Sequence, residues 1–197
     1  MTHSLHSVFV EFYCLPIRDI LVLFAVATWG FLWLDRGFRK ALLWKVLLSL
    51  VLAAFTGVIL YLTVSQREGG AVNTLALTPF HSYREVMNGG NREIYRSNFM
   101  NAVLFYPAGL LATVLLPEKW PGWCRCVLVV VLFGAMSAGI EYAQYFWQLG
   151  RVEIDDVIHN TAGALAGSLA ALLLPSVIAW TADQVKLMWK QYDHYRK

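Results

Sequence analysis

The segment GRVEIDDVIHN, residues 150–160, sets Arg151, Glu153, Asp155, Asp156, His159 and Asn160 within ten positions, between two long apolar runs. Carboxylates crowded into a confined site repel one another, so at least one keeps its proton to a higher pH unless a cation answers the charge. Such a group can do acid and base work or hold a cation. The string D-D-x-x-H over Asp155, Asp156 and His159 also has helical spacing at which side chains converge on a metal ion. A lone His near a membrane surface is more often a polar residue of the headgroup layer, and neither a metal nor a cofactor is expected here.

Further polar residues recur at matching positions elsewhere. In IEYAQYFWQ, Glu141 and Gln144 are three apart and share a helix face. In NFMNAVLFYPAG, Asn98 and Asn101 do the same, with Phe105 one turn further on. Asp156, Asn160, Gly163 and Gly167 form one stripe, and the small-xxx-small spacing of the two glycines lets a helix approach a neighbour's backbone closely. Gly134, Ala138 and Gly139 offer a similar smooth patch. On this reading Glu141, Asp155 and Asp156 are acid, base or cation-holding groups and Arg151 is an anion clamp. Asn98, Asn101, Gln144 and Asn160 orient a substrate by hydrogen bonds. Each also has a plainer role: an Asp can cap a helix, amides can bridge helices, and Arg151 can pair with either Asp.

These residues need rigid elements to bring them together, and composition says what kind. Of 197 residues, 58% are hydrophobic and 15% charged, with a mean hydropathy of +0.52, too apolar for an ordinary water-soluble domain of this size. About 20 apolar residues in a helix cross a bilayer core. Five windows meet that length, roughly 17–34, 42–64, 98–117, 124–147 and 156–180. The expected fold is an all-α polytopic membrane bundle of about five helices. The first window has the shortest apolar run, Ile20 to Leu34, and admits an interfacial or re-entrant segment. The chain divides into a two-helix segment at 1–71, a central domain at 72–174 and a tail at 175–197. The tail is basic and aromatic and suits a surface-lying anchor. Cys14, Cys124 and Cys126 have no metal or disulfide spacing and read as fillers.

Ten basic residues fall on the side holding the 36–45 loop, the 119–125 turn and the tail, against six on the other side among many carboxylates. Basic loops stay in the cytoplasm. The N-terminus is therefore expected outside, the C-terminus inside, and the 150–160 segment on the outer face. The connection from Ser65 to Ser97 shares that face. Its NTLALTPFHSY, with Asn73, Thr78, Pro79 and Phe80, reads as a loop or half-helix folded over the helix ends, Thr78 and Phe80 contributing to substrate binding. Tyr83, Arg84, Arg92 and Arg96 give it a basic rim suited to a phosphorylated or lipid-linked headgroup. No G-x-S-x-G or Walker pattern and no nucleic-acid motif occurs.

LTPF at 77–80, NAVLFYPAGLL at 101–111, EYAQ at 141–144 and RVEIDDVIHNTAGALAG from Arg151 to Gly167 together resemble the VanZ-like family of small bacterial membrane proteins. The resemblance covers roughly Val72 to Leu174. It implies a multi-pass protein of the bacterial cytoplasmic membrane, of a type named for low-level resistance to the glycopeptide teicoplanin. Mapped onto this chain it points to Asn101, Pro107, Gly109, Glu141, Gln144, Arg151, Asp155, Asp156, Asn160, Gly163 and Gly167, while His159 stands where an apolar residue is expected. The partners it suggests are a membrane lipid or lipid-linked cell-wall precursor, and a glycopeptide antibiotic. The protein is then either an envelope enzyme or a non-catalytic binder that limits glycopeptide access to lipid-anchored precursors.

Overall fold

A computed structural model describes residues 12–65, 74–89, 91 and 93–195. Asn73, Arg92, Arg196 and Lys197 lie outside the described residues. The elements, in chain order, are α1 (Ile17–Phe38), α2 (Leu42–Leu60, continued by a π-helical turn, Tyr61–Ser65), β1 (Leu75–Ala76), α3 (His81–Met87), α4 (Glu93–Leu115), α5 (Gly122–Phe146), β2 (Val152–Glu153) and α6 (Ile154–Tyr195). Five of the helices are long and apolar enough to cross a membrane, and the chain is an all-α, multi-pass membrane bundle.

Burial singles out α4 as the central helix: 56% of its apolar window is buried, against 11% of that of α2 and 22% of that of α5. Its closest neighbour is α6. A Cβ added to Gly163 would sit 2.7 Å from the carbonyl carbon of Ala102, and one on Gly109 2.7 Å from that of Ala164. A Cβ on Gly167 would sit 2.7 Å from the amide nitrogen of Leu110. Glycines on both helices thus let the backbones touch, as the Gly163 and Gly167 stripe anticipates. Of the patch expected on α5, Gly134 does face α6, where its added Cβ would be 3.3 Å from Thr161 Oγ1, but Gly139 looks into open space and Ala138 is exposed. Phe105 and Phe133 meet edge to face, centroids 6.2 Å apart, in a core completed by Ile59 of α2 and Ile140 of α5.

Several bounds differ from the hydropathy windows, each for a local reason. Helix α1 runs 22 residues, enough for a span, because the charged turn after Leu34 stays helical. There the fully buried Asp35 accepts from Arg39 Nη2 at 2.9 Å and Trp44 Nε1 at 2.8 Å. Helix α4 begins earlier, at Glu93, since its polar first turns are held from outside the span. Helix α6 runs unbroken for 42 residues through Pro175, about 63 Å at 1.5 Å per residue. That exceeds a bilayer with its headgroups, about 40–45 Å, so the tail prolongs the last span as one helix.

The end of the bundle carrying β1, β2 and α3 is built by the connections. Strands β1 and β2 pair in parallel, Leu75 with Val152 and Ala76 with Glu153, and Val152 N–H donates to the Thr74 carbonyl at 2.9 Å. This two-residue pairing draws the 74–89 connection across the mouth of α6.

Candidate functional site

Phe80 has a left-handed backbone, φ 59°, and closes the Thr78-Pro79-Phe80 turn that opens α3. The first N–H groups of a helix lack partners within it, and here a carboxylate from another element supplies them. Asp155 Oδ1 accepts the Phe80 N–H at 2.5 Å, and Oδ2 accepts the Ser82 N–H at 2.8 Å and the Ser82 hydroxyl at 2.5 Å. Asn98 Nδ2 in turn donates to Ser82 Oγ at 2.9 Å. Asp155 is 1% exposed and Ser82 is fully buried. Asp155 therefore caps α3, not its own helix, and with Asn98 forms a clasp that holds the connection down.

His159 fastens the same connection from the next turn. Its Nδ1 lies 2.5 Å from the Asp155 carbonyl, which can only accept, so Nδ1 carries the proton; Nε2 is 2.7 Å from the Tyr83 hydroxyl. Both ring nitrogens are engaged, and no group of three or more His, Cys, Asp or Glu side chains gathers around one point among the described residues.

A second polar layer lies in the seam between α4, α5 and α6. Asn101 Nδ2 donates to Asp156 Oδ1 at 2.7 Å. Glu141, 6% exposed, accepts the Glu153 N–H at 2.8 Å. One turn deeper on α5, Ser137 accepts from Asn160 Nδ2 at 2.8 Å. These two links bracket the register of the antiparallel α5 and α6, and bring Glu141 to the level of Asp156. Gln144 Nε2 donates to the Thr63 carbonyl at 2.9 Å. The amide oxygens Gln144 Oε1 and Asn160 Oδ1 are buried and meet no partner among the described residues. The structure thus joins Asn101 to Asp156 and Asn160 to Ser137, sets Glu141 on the Glu153 amide, and turns Gln144 toward the π-helical turn of α2.

Arg151 stands above this layer and its charge is already engaged. It pairs with Glu85 at 2.9 Å and Glu153 at 2.7 Å, donates to His81 Nδ1 at 3.1 Å, and is also attracted by Asp156. The Glu85 partnership raises its pKa above the ordinary arginine value, while the hydrogen bond and charge of Arg151 hold Glu85 below the usual carboxylate range. A depressed carboxylate contributes stability above its unfolded pKa and loses it as pH falls through the folded value. The link between α3 and the segment before β2 should persist through neutral pH and open only in acid below the ordinary glutamate range. A carboxyl-carbon NMR titration of Glu85 checks this; a midpoint at or above the free glutamate value refutes it.

The rim residues are dispersed. Arg84 donates to the Pro79 carbonyl at 2.5 Å, and Arg96 donates to the Leu15 carbonyl, with its guanidinium 5.0 Å from the Tyr13 ring centroid. Thr78 lines an open depression of about 640 Å³ over α3, with His81, Arg84 and Glu85. The Phe80 side chain is 55% exposed, its ring 6.2 Å from that of Tyr83. The Phe80 N–H goes to Asp155, and Thr78 lies over α3. Sequence reading passed over Ser82, Ser137, His81 and Glu85. For Ser137 a signal existed, a hydroxyl within an apolar span, whereas Ser82 and Glu85 gain their roles only through partners some seventy residues away.

The family model described as VanZ/LLP1 matches residues 45–175, from α2 into α6. The match begins earlier than the sequence motifs and so takes in α2. No curated protein and no solved structure matches the chain.

Proposed function

Because the chain belongs to the VanZ/LLP1 family, we propose that it acts in the bacterial cytoplasmic membrane by binding the polar head of a lipid-linked cell-wall precursor. In this reading the β1, β2 and α3 end faces outward, the orientation that the bias of basic loops favours. The observation that carries this reading is a pair of buried amide oxygens within membrane-spanning helices, Gln144 Oε1 and Asn160 Oδ1, that meet no partner among the described residues. Polar groups are costly at that depth and call for a partner. These two open amide oxygens, each one turn along its helix from a carboxylate, Glu141 or Asp156, favour a ligand rich in donors, such as hydroxyls, amide N–H groups or an ammonium. The sugar and peptide parts of a cell-wall precursor have those groups. A phosphate finds less to hold it, since Arg151 is committed to Glu85 and Glu153.

Asp155, with both oxygens engaged by the 80–82 turn, serves as a positioning residue, and Arg151 does likewise. Occupying the precursor in this way limits a glycopeptide's access to it, which gives the teicoplanin phenotype associated with the family name. Catalysis in this site would rest on Glu141 and Asp156 alone.

One experiment separates binding from catalysis. Glu141→Gln and Asp156→Asn are compared with the wild type for teicoplanin susceptibility at several matched membrane levels. Binding predicts that each variant keeps a graded, expression-dependent effect, with precursor retention about 10- to 100-fold weaker, the consequence of losing one hydrogen bond to a charged group. Catalysis predicts loss at every level. Unchanged susceptibility and retention in both variants would overturn the site.

A further inference from the structure

Helix α4 has a second functional face. Phe99, Ala102 and Tyr106 turn away from the seam, and with Leu21 and Ala25 of α1 and Ala162 and Ala166 of α6 they line a groove of about 390 Å³. That is within the roughly 300–1,000 Å³ of small-ligand sites. The groove exists because alanines and Gly163 stand where larger side chains would close the gap between α1 and the α4–α6 pair. Its deep end is bridged by the hydrogen bond between Tyr106 OH and Thr28 Oγ1, 2.9 Å.

All of these residues belong to membrane-spanning helices, so the medium at the mouth is bilayer hydrocarbon and the walls are almost wholly carbon. Water has no polar partners there to hold it. One turn above Phe99 on the same stripe of α4 is the half-buried Arg96, steadied over the Tyr13 ring and by the Leu15 carbonyl. Its fork has five donors, and no carboxylate pairs with it among the described residues. The other charges near this end are the exposed pair Arg18 and Asp19, 3.1 Å apart, and the exposed Glu93. A cation fixed at headgroup depth directly above an apolar channel matches an anionic amphiphile.

We propose that the groove holds an acyl chain of one anionic phospholipid whose phosphate rests on the Arg96 guanidinium. The inference is independent of the precursor reading, since the groove and the Glu141 and Asp156 layer lie on different faces of α4.

The test is native mass spectrometry of the full chain released from vesicles of equal parts phosphatidylglycerol and phosphatidylcholine with identical acyl chains. The wild type should keep one phosphatidylglycerol, preferred about tenfold, because both lipids carry the phosphate but the choline cation beside it in phosphatidylcholine offsets the attraction of the guanidinium. Ala166→Phe fills the groove from its exposed side and should abolish retention of both lipids. Ala162→Leu serves the same purpose if that variant fails to fold. Arg96→Gln should keep a lipid but lose the headgroup preference. Wild-type retention in the filled variant, an unchanged preference in Arg96→Gln, or a lipid-free dimer seated through this face would each overturn the proposal.

Discussion

Replacing Gly167 by Ala should drive α4 and α6 apart and leave little folded protein in the membrane. The new methyl carbon would lie 2.7 Å from the Leu110 amide nitrogen, nearer still to the Tyr106 carbonyl oxygen, and 3.0 Å from its carbon. These are backbone atoms of a helix that cannot yield by rotating a side chain. Overpacking a well-filled core costs about 1–3 kcal/mol and occasionally more, and a backbone collision belongs at or above the upper end. Gly163→Ala meets the same obstacle at Ala102. Gly139→Ala is the control: nothing lies within 4 Å of its added Cβ, so the higher helix propensity of alanine should stabilise it by up to about 1 kcal/mol. Unfolding in mild detergent, followed by circular dichroism or a thermal shift, should therefore move in opposite directions at two glycines of one bundle. Equal stability for Gly167→Ala and wild type would mean that the two backbones do not touch.

Asp155→Ala should free the connection over the mouth of the bundle while the five spans remain assembled. The part-buried Phe80 N–H and the buried N–H and hydroxyl of Ser82 lose their acceptor together, at about 1–3 kcal/mol for each buried group left unsatisfied. Even with strong non-additivity the local cost is about 3 kcal/mol, or more than a hundredfold in the opening equilibrium of α3. Asp155→Asn should be nearly as damaging, because its amide nitrogen would confront donors. Hydrogen exchange at the Phe80 and Ser82 amides is the direct measure, supported by protease access to residues 74–89. Exchange as slow as in the wild type would show that the β1–β2 pairing, and not the carboxylate, holds this segment. A precursor site shielded by α3 should lose retention in step with the increase in exchange.

Membrane character and the number of spans could be read directly from the sequence, because both follow from local composition: about 20 apolar residues in succession leave a helix as the means of satisfying a backbone in hydrocarbon. The glycine stripe on α6 was equally legible, since its spacing is a property of one helix. So was the placement of Asn101, Glu141, Gln144, Asp156 and Asn160 toward the ends of their helices, which needs only their positions along the sequence.

What each polar group binds was decided by tertiary structure. Asp155 and Asp156 are adjacent and chemically identical, yet successive helical positions point about 100° apart, so one meets the α3 turn and the other the seam with Asn101. By spacing alone either of them was open to Arg151; its ion pairs go to Glu85 and Glu153 because β1 pairs with β2 and carries α3 over it. A two-residue strand leaves almost no sequence signal, and its partner is 77 residues away. Local pattern reports which groups lie at which depth, whereas the division of those groups between clasp and binding layer depends on contacts between distant segments.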